Sequence, residues 1–149
     1  MRAVIIEAYI VNVEGAIVKD GRYLMVVRSA EEYAPGGLCF PGGKVDGAGV
    51  DDDVLEETLR REIAEEVGLE VHAEMAYLRS SAFVAEGVPV IDVVFLCRWK
   101  SGEAVAADPA EVASVRWMTA AEAIAQLETP PWTCWALELA EKVRLKRGW

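Results

Sequence analysis

Histidine and cysteine are scarce in this chain, and cations are outnumbered. There is a single histidine, His72, and there are three cysteines, Cys39, Cys97 and Cys134. The cysteines are odd in number and widely spaced, with no C-x-x-C pair, which excludes a disulfide framework or a zinc site and leaves reduced, mostly buried thiols. With its one histidine at an expected strand start, the chain has no partner pair suited to Cys–His catalysis. No apolar run approaches twenty residues, and Met1–Val13 is interrupted by Arg2, Glu7 and Asn12. Neither a membrane span nor a signal peptide is therefore expected, and the default is a soluble cytoplasmic protein. Fifteen Lys and Arg against 25 Asp and Glu leave a net charge of −10. That balance argues against general nucleic-acid binding, which needs a basic face. A phosphorylated small molecule would have to be met by a metal and a few local cations.

What is abundant is apolar residues, 53% of 149. Disorder is excluded, and the length suits one domain over residues 1–149 with a sizeable core. The chain shows no internal repeat, linker or low-complexity stretch. Val4–Val18, Lys19–Arg22 and Tyr23–Arg28 read as strand, turn and strand. Leu38-Cys39-Phe40 is a short strand running into Pro41-Gly42-Gly43, where backbone without Cβ can approach a ligand closely. Glu70–Leu78 and Val90–Trp99 read as strands joined by Arg79–Pro89; the second is nearly continuous in apolar residues, as a strand covered on both faces would be. Lys100–Pro109 is a loop and Val112–Met118 another strand. Thr119 with Glu122 forms a capping box opening a helix to about Leu127. After Pro130-Pro131, Thr133 is expected to cap a final helix with Trp135, Leu139 and Val143 aligned. Basic Arg144, Lys146 and Arg147 suit its C-terminus. This order predicts a mixed sheet covered on both faces by helices, an α/β (α+β) fold.

Leu55, Leu59, Ile63 and Val67 recur every four residues, one apolar helical stripe. Asp53 and Glu56 stand as a capping-box-like start, and Gly68 where a helix ends in a left-handed residue. Glu62 and Glu66 fall beside the stripe, with Glu65 on the same flank. Like charges at these spacings cost about 0.2–0.5 kcal/mol a pair, and carboxylates beside a core lose hydration as well. A hard divalent cation such as Mg²⁺ removes the conflict, because it takes carboxylate oxygens and keeps waters for a phosphate partner.

Gly43 … Arg61-Glu62-Ile63-Ala64-Glu65-Glu66-Val67-Gly68-Leu69 resembles the Nudix box, G-x5-E-x7-R-E-U-x-E-E-x-G-U with U a bulky aliphatic. The second half matches at every specified position. In the first half, seventeen residues separate Gly43 from Arg61 where the pattern has thirteen, and Asp53 takes the place of the first Glu. This reads as a four-residue insertion within Asp46–Asp52.

The resemblance implies the α/β/α sandwich of Nudix proteins and Mg²⁺- or Mn²⁺-dependent hydrolysis of the pyrophosphate in a nucleoside diphosphate derivative, releasing a mononucleotide. It implies Glu62, Glu65 and Glu66 as metal ligands, with the Gly42 carbonyl a fourth. Arg61 would hold the carboxylates by pairing with an acid, Asp53 being the candidate. The general base would be Glu65 in the box, or Glu111 on a later loop with Asp108 as a poorer alternative. Arg28 and Lys44 are candidates for phosphate contact. Leu38 stands where many family members carry Trp, so Tyr33, Phe40 or Phe83 is left to stack on a base. The alternative reading is a nucleotide-binding or regulatory domain of weak activity on the same fold; a purely structural protein is the third. Trp132, Trp135 and Trp149 offer apolar surface for a homodimer or for packing within the chain.

Overall fold

The computed structural model describes residues 8–32, 34–47 and 52–149. The start of the expected first strand, the stacking candidate Tyr33 and the middle of the inserted loop lie outside the described residues.

β1 (Ile10–Lys19) and β2 (Arg22–Arg28) form an antiparallel hairpin in which Val18 faces Tyr23. Its turn uses Asp20 and Gly21 at φ 50° and 74°, the positive angles of a tight turn whose twist matches the strands. Only the turn-proximal pairs hold β1 to β2. Beyond them the two strands part. β3 (Leu38–Cys39) pairs with β2 through Val26 and Val27, while β4 (Gly42–Lys44) pairs with β1 through Asn12, Val13 and Glu14. The opening between diverging strands is thus bridged by the segment that carries the twin glycines.

α1 (Val54–Val67) follows, then β5 (Glu70–Ala85) and β6 (Val88–Ser101), a long hairpin turning tightly at Glu86-Gly87. β6 returns parallel to β1 in continuous register from Ile10 opposite Val90 to Val18 opposite Arg98. β7 (Val112–Met118) pairs antiparallel with β2. α2 (Ala120–Ile124) and α3 (Pro131–Arg147) complete the chain.

Two cores lie on opposite faces of this sheet. On one, Leu59, Ile63 and Val67 of α1 are fully buried against Val13, Ile17, Leu24, Phe95 and Cys97. A Cβ on Gly15 of β1 would stand 3.3 Å from the Ile63 side chain, so a small residue lets α1 lie close to the sheet. On the other face Ala136, Leu137 and Ala140 of α3 pack on Ala16, Met25, Leu78 and Leu96. There the Tyr23 hydroxyl donates to Glu141 at 2.8 Å, and Glu141 also accepts from Arg144 at 2.9 Å. The layers are helix, mixed sheet, helix, as the element order predicts. Among the described residues, no helix is long and apolar enough to cross a membrane.

Several local expectations are corrected. Asp53 does precede α1, but in the left-handed region at φ 52° and with no side-chain cap; the Asp53–Glu56 capping box does not form. The segment 79–89 is mostly strand, so that β5 and β6 run longer than their apolar cores suggest. α3 starts at Pro131, with Pro130 in the cap position, and Thr133 lies inside it, buried. Its buried positions are Thr133, Ala136, Leu137 and Ala140, leaving Trp135 exposed, because small residues let the helix sit against the sheet. Trp149 packs within the chain, its ring under the Arg98 and Arg147 guanidinium groups at 4.5 and 5.0 Å.

Candidate active site

A cavity of about 390 Å³ opens where β1 and β2 part, lined among others by Asn12, Glu14, Arg28, Phe40, Gly42, Lys44, Glu62, Glu66 and Glu111. Each wall has a simple origin. β1 delivers Asn12 and Glu14, and the end of β2 delivers Arg28. β4 supplies Gly42 and Lys44, and α1 presents Glu62 and Glu66 from the edge of its apolar stripe. Glu111 arrives from the loop before β7.

The glycines are required by contact. A Cβ on Gly42 would lie 2.0 Å from the Val13 carbonyl oxygen, and one on Gly43 would lie 2.4 Å from Cδ of Glu62. Gly42 is the site of backbone–backbone approach, and Gly43 is the floor over which the Glu62 side chain passes. The Gly42 N–H donates to Glu66 Oε2 at 3.3 Å. An amide hydrogen of β4, therefore, faces the acidic cluster.

Oxygens of Glu62, Glu66 and Glu111 lie within 4.8 Å of one another. Glu66 is 6% exposed. Burial, reinforced by hydrogen bonding with Glu111 and opposed by the Gly42 amide, pushes its carboxyl up to about 9. Burial and the neighbouring Glu65 charge raise Glu62 as well, against the pull of Arg61. Also on the cavity wall, Glu14 is held well above the usual carboxylate range by loss of hydration and by its hydrogen bond with Asp92. Asp92 accepts from Asn12 at 2.7 Å. Such a set of crowded, raised carboxyls is what a divalent cation would convert into a stable arrangement, so the donor chemistry fits one.

Of the residues singled out in the sequence, Glu62, Glu66, Glu111, Arg28, Lys44, Phe40 and Gly42 all line the cavity. Glu65 is exposed and stands outside its lining. It sits roughly 60° from Glu62 around the helix on the side away from the stripe, not on the flank shared by Glu62 and Glu66. Arg61 pairs with Asp46 at 2.8 Å and approaches Glu62 at 3.7 Å; Asp46, at the end of the glycine turn, replaces the expected Asp53. Asp108 turns inward to its own loop, accepting from the Ala110 N–H at 3.3 Å. Phe83 is exposed on β5, outside the cavity lining. Burial pushes the Cys39 and Cys97 thiols up to about 12, so neither is nucleophilic at neutral pH. Asn12, Glu14 and Asp46 were missed as site residues. Only the register of β1 against β4 brings the first two to the cavity, and no local pattern in the sequence signals that register.

The NUDIX domain family model matches residues 9–136. The chain belongs to the Nudix family. Among solved structures it resembles a MutT Nudix hydrolase from Burkholderia pseudomallei, with 28% identity over 89% of this chain and 98% of that one and a TM-score of 0.75. It also resembles a MutT protein from Methanosarcina mazei Go1, at 21% identity, 95% and 99% coverage and a TM-score of 0.74. A Nudix hydrolase from Nitrosomonas europaea matches at 18% identity, 91% and 90% coverage and a TM-score of 0.75. No curated protein matches this sequence. The α/β/α sandwich is thus the Nudix fold, and the protein is a Nudix-type pyrophosphohydrolase. The acidic flank of α1 is the second half of the Nudix box, and Gly43 of β4 opens its first half.

Proposed function

We propose that the protein hydrolyses the pyrophosphate linkage of a nucleoside diphosphate derivative in a Mg²⁺- or Mn²⁺-dependent reaction, releasing a mononucleotide. The observation that carries this reading is the convergence of Glu62, Glu66 and Glu111 within 4.8 Å at the mouth of a cavity that also presents Arg28 and Lys44. The three carboxylates would hold the cation, with Glu65 an outer, exposed acid. When bound, the cation neutralises the diphosphate and lowers the pKa of attacking water. Arg28 and Lys44 contact phosphate oxygens, supplying positive charge that a chain of net charge −10 otherwise lacks. Glu111, the exposed member of the cluster, takes the proton of the attacking water. Arg61 fixes the glycine turn to α1 through Asp46, which keeps Glu62 over Gly43. Phe40, 3% exposed, is a wall of the cavity and leaves little face for stacking.

The test is a panel of nucleoside triphosphates, ADP-ribose, dinucleoside polyphosphates and nucleotide sugars with Mg²⁺ or Mn²⁺, scored by mononucleotide release. Cleavage that Glu66→Gln abolishes while the fold is retained supports the reading. Nucleotide binding without cleavage across the panel replaces it with a binding domain on the same fold.

A further inference from the structure

Glu111 is the one member of the acidic cluster not carried by the box helix, so something else must hold it in place. The loop that delivers it is fastened at three points. At its start Val105 and Ala107 donate their N–H groups to the Val67 and Glu66 carbonyls, at 3.1 and 2.9 Å. In its middle Asp108 makes a turn, its carbonyl accepting from the Glu111 and Val112 N–H groups at 3.1 and 2.8 Å. At its end stands Ser29, only 6% exposed.

The register explains why Ser29 meets this loop. β2 and β7 pair evenly from Tyr23–Met118 to Val27–Ser114; then the register shifts, and Arg28 faces Val112. A bulge of this kind leaves the ladder short of regular partners just where Glu111 begins. Ser29 takes up the slack with both of its donors. Its N–H donates to the Glu111 carbonyl at 3.1 Å, and its hydroxyl donates to the Ala110 carbonyl. The same hydroxyl oxygen accepts from the Glu31 N–H at 3.4 Å, which orients it. Two consecutive carbonyls of the Glu111 loop are therefore held by one buried side chain and its own amide.

We propose that Ser29 is a positioning residue that holds Glu111 against Glu62 and Glu66, and so sets the affinity of the cluster for a divalent cation. This rests on the assignment of Glu111 to the cation site, which the same experiment tests separately. Ser29 is bonded to none of the three carboxylates; it acts through the backbone carbonyls of Ala110 and Glu111.

Mn²⁺ alone, followed by electron paramagnetic resonance on the full chain, is the probe. Four proteins are compared: wild type, Ser29→Ala, Glu111→Gln and the double variant. Ser29→Ala is expected to weaken Mn²⁺ binding about tenfold, the scale of losing an outer support of a ligand. In the Glu111→Gln background the same change should matter less than about twofold, because the two residues act in series. Ser29→Thr, which keeps the hydroxyl, should restore at least part of the affinity. Hydrogen exchange at the Glu111 and Val112 amides should speed up in Ser29→Ala and serves as a readout independent of metal. Unchanged Mn²⁺ affinity in Ser29→Ala, alongside a weakened Glu111→Gln, overturns the role of Ser29 and leaves Glu111 in the site. Equal losses with and without Glu111 also overturn it, showing a general structural effect. Unchanged affinity in Glu111→Gln removes Glu111 from the site, and the proposal with it.

Discussion

Burial, together with the hydrogen bond to Glu111, pushes the Glu66 carboxyl up to about 9 from an ordinary 4.5. The consequence for stability has a definite sign. A raised carboxyl in the folded state means that the unfolded chain binds fewer protons between those two values, so stability is full below about 4.5 and is lost as pH rises toward 9. Metal-free protein is therefore expected to show a thermal midpoint that falls from pH 5 to pH 9, beyond any trend shared by Glu66→Gln. Saturating Mg²⁺ should flatten or reverse the fall, since cation binding favours the ionised form. Scanning calorimetry across that range, with and without the ion, is the check. The exposed neighbour behaves differently. Glu65→Gln should leave the pH trend in place and lower Mn²⁺ affinity far less than Glu66→Gln, because Glu65 lies outside the cavity lining. Equal losses in the two variants would return Glu65 to the inner set of ligands.

At the scale of elements, β4 works through what it omits. Gly43→Ala would place a methyl group 2.4 Å from the Glu62 carboxyl carbon. A side chain can swing away where backbone cannot, so this variant is expected to fold and to lose Mn²⁺ affinity by about tenfold or more. Gly42→Ala meets the Val13 carbonyl at 2.0 Å instead and should cost stability outright, measurable by denaturant unfolding. These elements also show what the amino-acid order reveals. α1 was legible because Leu59, Ile63 and Val67 repeat at helical period, and Gly68 ends it at φ 70° as expected. The Thr119–Glu122 cap was legible as well, with the Glu122 N–H on the Thr119 hydroxyl at 3.1 Å. The Asp53 cap was not, because cap geometry depends on how the chain enters the helix. Of the α3 stripe, Leu139 and Val143 do pack partly against the core, but the buried line is centred on Ala136 and Ala140, which sit closer to a sheet than the larger Trp135 could, and Trp135 is left exposed. Glu111 was found only as one of several acids. Its place in the cluster comes from β7 pairing with β2, a contact between residues far apart in sequence.

For the whole molecule, the sheet separates the helix that carries Glu62 and Glu66 from the helix that packs on the other face, and Phe40 of that second core reaches the same cavity. α1 bears Glu62 and Glu66 on the same helix whose Leu59 and Ile63 anchor one core. α3 supplies Leu137 to the other core, on the far side of the strands. Truncating a fully buried residue costs about 2–5 kcal/mol on either face. The effect on metal binding should nevertheless differ. Ile63→Ala lets α1 settle into the space below it and moves the neighbouring Glu62, so that Mn²⁺ affinity falls together with stability. Leu137→Ala should lower the thermal midpoint by a comparable amount while Mn²⁺ affinity at temperatures well below that midpoint stays within about twofold of wild type. Calorimetry and Mn²⁺ titration on this pair of variants test whether the sheet is rigid enough to insulate one face from the other. If Leu137→Ala weakened the cation site as much as Ile63→Ala, the carboxylates would be held by the packing of the entire sandwich and not by α1 and β4.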